Sequence, residues 1–377
     1  MCIDLGRARG NPFVPSDVAC YVRRMKTLNK IVAVAFLLAL PSAHAAPAFA
    51  AFGSLAPYVP SDVFGSARDA AMAHADLTRD DAGSLWTNPG ATLDPNHLLA
   101  LDVAYAPSYR DDDTWTGTAA VALTKGPFRL AVGLRREDSA LVERTVFEPD
   151  GTGRVGYERD TVAIGIALEP THWIDDAESI TWTVGATGRT RSDGALNPDP
   201  TPRPGSDEGR PDPSDESIDL GTSLAWSPGS GARVRSLSLG VVLENVNAAK
   251  LEVDATTTRR LGRALRVGTT LTAALTDDGT LVGTLAGAFT HELGDLDDAD
   301  AWHVGAELIV FDRVCVRAGR HDWGLLDVAS FGAALRLPVS ERLEIEASWT
   351  LENPLDDPQD VSTDATSIFG LRTTLRP

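Results

Sequence analysis

The chain has 377 residues, 43% of them apolar, with 33 Gly, 3 Met and a net charge of -19. A Gly-rich, aliphatic and moderately polar composition suits strands and turns better than a helical bundle. The acidic balance argues against nucleic acid as a partner, because phosphate would be repelled, and leaves a membrane open if the charge sits in loops.

At the amino terminus Arg23, Arg24, Lys26 and Lys30 form a basic region around Met25. An apolar run of about ten residues follows, from Ile31 to Leu40, and then Ala43-His44-Ala45 fits a small-x-small cleavage site. This pattern is a secretory signal over residues 25–45, too short for a spanning helix. Residues 1–24 read as an upstream extension, and Ala48-Phe49-Ala50 offers a second cleavage position. Cys2 and Cys20 precede the signal, so Cys315 remains as a packing residue with no disulfide partner in the mature chain. After residue 45 no apolar run approaches the roughly twenty residues a spanning helix needs. The mature chain therefore crosses a bilayer as a closed barrel or not at all.

Residues 46–97 are too long and too poor in alternation for a leading strand, and are expected to form a plug or periplasmic segment. From about residue 98 the pattern has period two. Leu99, Leu101, Val103 and Tyr105 oppose Ala100, Asp102 and Ala104, and Phe128, Leu130, Val132 and Leu134 oppose Arg129, Gly133 and Arg135. Near the end, Leu343, Ile345, Ala347 and Trp349 oppose Arg342, Glu344, Glu346 and Ser348. Repeated over 98–377, this predicts an all-β chain of about fourteen strands, near the ~9–11 residues a tilted membrane strand needs.

Loop lengths favour a transmembrane antiparallel up-and-down barrel over a soluble sandwich. One set of connections is expected at roughly 8, 22, 27, 17, 10, 7 and 15 residues and the other at roughly 4, 11, 6, 4, 3 and 4, the sorting by end that outer-membrane barrels show. The polar face carries mainly Gly, Ala, Ser, Thr and charge, which leaves room for a lumen or a plug. Trp115, Trp226, Trp302 and Trp349 lie near strand ends, where interface girdles form. Matching apolar faces across the hairpins sets Glu307 opposite Arg317 and Arg336 opposite Glu344, both pairs facing the lumen. Acids cluster in expected loops at Asp111-Asp112-Asp113, Asp212 to Glu216 and Asp295 to Asp300. Solvation is the ordinary reading of these clusters and divalent-cation binding the sharper one.

Residues 65–91 contain Arg68, Met72, Asp80, Asp81, Trp86, Asn88, Pro89 and Gly90 in an order that resembles the amino-terminal segment of FadL and PorV-like outer-membrane proteins. That segment runs Gly-x-Arg, Met-Gly-Gly-Ala, Asp-Asp-Ala, then an aromatic and Asn-Pro-Ala. Here Ala73-His74 replaces the paired glycines and Gly90 replaces the last alanine. Gly240 to Asn247, and Gly305-Ala306-Glu307 with Arg317-Ala318-Gly319, are similar to later strands of the family. The resemblance implies a fourteen-stranded barrel whose amino-terminal segment enters the lumen as a hatch. The chain departs from outer-membrane habit by ending on Arg376-Pro377 and not on an aromatic residue.

No nucleophile elbow, phosphate loop or metal-spaced Cys/His cluster occurs, so the chain is read as a non-enzyme without cofactor or metal. His321-Asp322 reads as a solvated pair in a short external loop. Three functions remain open. The resemblance to FadL implies passage of long-chain fatty acids or other hydrophobic small molecules across a Gram-negative outer membrane. The resemblance to PorV-like proteins implies a scaffold holding a secreted protein partner. An open diffusion porin is the third, and a hatch with paired charges in a fourteen-stranded lumen weighs against it.

Overall fold

In the computed structural model, the described residues are 65–79, 81–91, 97–107, 115–144, 153–174, 179–196, 214–229, 232–248, 250–252, 258–260, 263–293, 300–322, 327–354 and 366–377. The signal region, Asp80, residues 46–64 and most of the acidic loop clusters lie outside them.

Fourteen antiparallel strands close into one barrel. In chain order they are β1 Leu99–Pro107, β2 Trp115–Lys125, β3 Phe128–Arg144, β4 Gly153–Leu168, β5 Ile180–Leu196, β6 Ser214–Trp226 and β7 Val234–Glu244. After a two-stranded hairpin, β8 Lys250–Glu252 with β9 Thr258–Arg260, come β10 Ala264–Ala274, β11 Leu281–Glu292 and β12 Ala301–Val310. The remaining strands are β13 Val314–Asp322, β14 Asp327–Pro338, β15 Leu343–Pro354 and β16 Thr366–Leu375. Each barrel strand pairs with its sequence neighbours, and β1 closes on β16 with Leu99 opposite Leu375 and Tyr105 opposite Phe369.

The alternation sorts side chains by face. On β1, Leu99, Leu101, Val103 and Tyr105 are exposed while Ala100, Asp102 and Ala104 are buried. The same holds for Leu130, Val132 and Leu134 against Arg129 and Arg135 on β3. An apolar exterior around a polar interior is the inverse of a water-soluble barrel and belongs in lipid, where closure leaves no strand edge unpaired. Aromatic residues mark two levels on this exterior. Toward the long loops, Trp349, Phe369 and Tyr105 occupy one cross-strand row, and Trp302 stands opposite Phe289. Toward the short turns lie Phe128, packed on Trp173 at 6.1 Å, and Trp226. Trp115 and Lys125 bound the 11-residue β2; at ~3.3 Å per residue and ~40° tilt that is ~25 Å, the height of a membrane barrel's apolar band.

Three features differ from the sequence expectation. β3, β4 and β5 run to 17, 16 and 17 residues, because their backbone ladder stays paired past the apolar band. The β8–β9 hairpin adds structure to a connection read as a plain loop. The β14–β15 register puts Arg336 opposite Glu346, with Glu344 opposite Pro338. Val339 N–H donates to the Leu343 carbonyl at 2.8 Å, and Ser340 Oγ accepts from the amides of Arg342 and Leu343, so the turn is centred one residue later than expected and every cross-strand partner shifts by two. A two-residue slip leaves every side chain on its original face, which is why alternation cannot distinguish the two registers.

Candidate functional site: a hatch in the barrel lumen

The described part of residues 65–91 lies inside the barrel and is almost wholly buried. It begins with a short helix, α1 (Ala67–Ala71), whose N-cap Ser66 accepts from the Asp69 amide at 3.1 Å. The alanines of α1 let it approach the wall closely: Ala67 and Ala70 pack against Ala104, Ala106 and Ile368. The chain leaves α1 through Met72 and two successive left-handed residues, Ala73 (φ 51°) and His74 (φ 59°). These are the positions where the resembling family carries paired glycines, and they show why. Left-handed backbone costs a residue with a Cβ about 1–2 kcal/mol.

A second short helix, α2 (Ser84–Thr87), is preceded by Asp81, whose carboxylate accepts from the Ser84 amide at 2.9 Å. Leu85 and Trp86 on α2 pack with Ala120, Ala131 and Ala163 of the inner wall. Arg135 sits 4.6 Å above the Trp86 ring, and Arg189 donates to the Trp86 carbonyl at 2.8 Å. Asn88 is fully buried: its amide donates to the Leu77 carbonyl at 2.6 Å, and its Oδ1 accepts from the Gly90 amide at 2.9 Å. The Pro89 carbonyl takes a hydrogen bond from Arg129 at 3.0 Å, and the Gly90 carbonyl takes one from Ser223.

Inward-facing strand glycines receive this segment. A methyl group at Gly319 would lie 2.7 Å from the Ala73 nitrogen, one at Gly332 2.6 Å from the Ala71 Cβ, and one at Gly133 2.6 Å from Leu85. At Gly221 it would meet the Asn88 side chain, and at Gly185 the Pro89 carbonyl. Gly90 in turn admits no Cβ against the Gly221 backbone, so the family's alanine would not fit here. Strand glycine often marks close backbone approach, and here it supplies the seat of the hatch.

Charge fastens the same segment from the side of β12–β16. Glu307 accepts from three guanidiniums: Arg317 at 2.6 Å, Arg79 at 3.0 Å and Arg68 at 3.2 Å. Arg68 also holds Asp76 at 2.9 Å. Burial alone would lower the Arg68 pKa, but the charges of Glu307 and Asp76 outweigh it and raise it well above its usual value. Asp76 moves down because Arg68 overcomes the burial that would push it up. On the wall, Glu346 joins Arg317 and Arg336, both at 2.7 Å, and Arg372 reaches Asp102 at 3.3 Å, Glu346 at 3.6 Å and Asp81 at 3.9 Å.

Of the residues singled out in the sequence, Arg68, Met72, Asp81, Trp86, Asn88, Pro89 and Gly90 therefore gather in the lumen, with Glu307, Arg317 and Arg336 on the facing wall. Asp80 lies outside the described residues. Glu344 sits at the rim, 3.2 Å from exposed Arg376, and takes no part in the lumen network. His321 is a correction as well: β13 continues through Asp322, so His321 faces inward and is buried. Asp76, Arg79, Asp102, Glu346 and Arg372 were not singled out. Period two does place Asp102, Glu346 and Arg372 on the inner face, but alternation carries no signal for which of them meets the hatch.

No family model matches the chain, and no curated protein matches its sequence. Among solved structures it is similar to a FadL homologue of Pseudomonas aeruginosa (12% identity, TM-score 0.47, covering 83% of this chain and 97% of that one). It is also similar to the monoaromatic hydrocarbon channel CymD (9%, TM-score 0.48, covering 82% and 96%). A third is the Pseudomonas putida toluene transporter TodX (10%, TM-score 0.45, covering 82% and 96%).

Proposed function

We propose that this chain is an outer-membrane barrel of a Gram-negative bacterium, exported by its 25–45 signal, whose amino-terminal hatch over 46–97 controls passage of hydrophobic small molecules. The observation that carries the reading is the hatch itself: a chain segment seated on wall glycines and held by buried ion pairs inside an apolar-sided barrel. An open diffusion porin needs an unobstructed lumen, and this one is occupied. The substrate class, long-chain fatty acid-like compounds, rests on the sequence resemblance of residues 65–91. The firmness of the seating favours a second reading, a static plug in a scaffold barrel that holds a secreted protein partner.

Uptake of a labelled long-chain fatty acid separates the two. The host is a Gram-negative strain lacking its own transporter, with barrel insertion verified. A Leu77→Cys and Gly240→Cys pair can tie hatch to wall, since a Cβ at Gly240 would lie 3.0 Å from that of Leu77 and a half-ångström adjustment reaches disulfide spacing. Uptake above empty cells, lost on oxidation and restored by reductant, supports the gated transporter. No uptake from a correctly inserted barrel refutes fatty acid as its cargo and favours the scaffold.

A further inference from the structure

Three histidines meet where the hatch touches β12 and β13. His303 and His321 face each other across these strands. Their ring centroids are 5.8 Å apart, and the His74 ring of the hatch stands 6.4 Å from the first and 5.5 Å from the second. The contact is also the tightest backbone approach on this side, with Met72 against Gly305 and Ala73 against Gly319. His303 bonds the hatch directly, Nδ1 to the Ala73 carbonyl at 3.0 Å, with Nε2 at 3.1 Å from the Thr290 hydroxyl. The carbonyl requires the proton on Nδ1, so in neutral His303 the Nε2 accepts from Thr290 and both ring nitrogens are used.

Charges around the cluster come from every side. Asp69 on α1 binds His74 Nδ1 at 2.7 Å. Arg266 on β10 donates to the His74 carbonyl at 3.1 Å and pairs with Glu244 of β7 at 3.3 Å. Glu352 on β15 faces His74 and Asp69. One proton on His74 is matched by Asp69. Each further proton creates a second positive ring within 6.4 Å of the first and near Arg266, in a buried setting where like charges are poorly screened. In a released hatch the rings would be hydrated and free to charge.

We propose that His74, His303 and His321 form a pH-sensitive latch that frees the Met72–Ala75 turn from β12–β13 as the pH falls below neutral. The sign follows from linkage. His303 and His321 hold fewer protons docked than released, because His74, paired with Asp69, and Arg266 oppose their charging; docking is therefore strongest above the ordinary imidazole range near ~6.5 and weakens as the pH drops through it. His74 also occupies a left-handed position that glycine would take without strain. Where the resembling segment has glycine, this chain carries a residue that titrates. The latch does not depend on what the barrel carries.

Hydrogen exchange of the lipid-reconstituted barrel tests it, with rates corrected for intrinsic chemistry. Between pH 7.5 and 5.0 the protection of residues 72–77 should fall at least tenfold, while residues 84–90, docked away from the histidines, keep theirs. His74→Gly should remove the pH response and retain the docked state, and His321→Asn should weaken the response independently. Unchanged protection of 72–77 in the native chain would overturn the proposal. So would an equal loss in both segments, or an undiminished response in both variants.

Discussion

The buried Asn88 side chain donates to the Leu77 carbonyl, eleven residues back along the hatch, at 2.6 Å. The same side chain accepts from the Gly90 amide and touches β6 through the Thr222 carbonyl at 3.4 Å. One amide therefore joins the two arms of the hatch and sets both on the wall. Asn88→Ala strands buried backbone groups, and an expected loss of about 2–3 kcal/mol follows from the desolvation cost of unmade hydrogen bonds. Denaturant unfolding of the reconstituted barrel measures it, and a change below about 0.5 kcal/mol would show that the junction is held by something else.

Gly90→Ala adds the very methyl group that the resembling family carries, yet here it meets the Gly221 backbone. Overpacking predicts about 1–3 kcal/mol of destabilisation. Gly188, on β5, has nothing within 4 Å of an added Cβ, so Gly188→Ala should stay within about 0.5 kcal/mol. Equal effects at the two positions would contradict the seating of the hatch.

Val121 projects from the outer face of β2 and Thr118 from its inner face. Val121→Arg should cost about 2–4 kcal/mol if it lies near the bilayer midplane. Thr118→Arg is not the benign contrast that an open lumen would allow, because Thr118 is buried beneath the Gly65 carbonyl at 3.4 Å. Thr118→Ser keeps that hydroxyl and should be near neutral. Thermal stability in matched lipid compares the three, and a harmless Val121→Arg would place that face in water.

Glu307→Gln leaves Arg68, Arg79 and Arg317 converging on an uncharged group. Removing one partner of a buried ionic cluster costs about 3–5 kcal/mol. The expected signature is early loss of protection in residues 65–79, with the strand amides of the barrel still protected in the same exchange experiment. Uniform loss across the barrel would instead make Glu307 a strut of the wall alone.

Asp69 gives a separate acid window. Burial alone would raise its pKa, but the His74 charge and hydrogen bond, with the Gly65 amide, bring it from 3.8 down to about 2. A lowered carboxylate pKa stabilises the docked state above the unfolded value and loses that contribution as the pH falls from near 4 through 2. The contribution is about 2 kcal/mol. Docking of the native hatch should therefore weaken again across that interval, and Asp69→Asn should flatten the step in the same exchange experiment.

The sequence by itself determined the barrel. Which side chains face lipid is a period-two property of each strand, and the sorted loop lengths are local to each connection, so both survive without knowledge of the fold. The sequence also marked the hatch, through the order Arg68, Met72, Asp81, Trp86, Asn88 and Pro89. Only the tertiary structure decided what the hatch meets. Arg68 and Glu307 are 239 residues apart, and no local pattern couples them. The Arg336–Glu346 pairing depended on a turn centred one residue later than expected, a two-residue slip of partners that preserves both faces and so leaves no trace in alternation. His74, His303 and His321 are scattered along the chain and converge because strand register sets two of them opposite each other while a left-handed turn delivers the third. Face is fixed by the geometry of a single strand; partnership is fixed by closure of the whole barrel around its occupant.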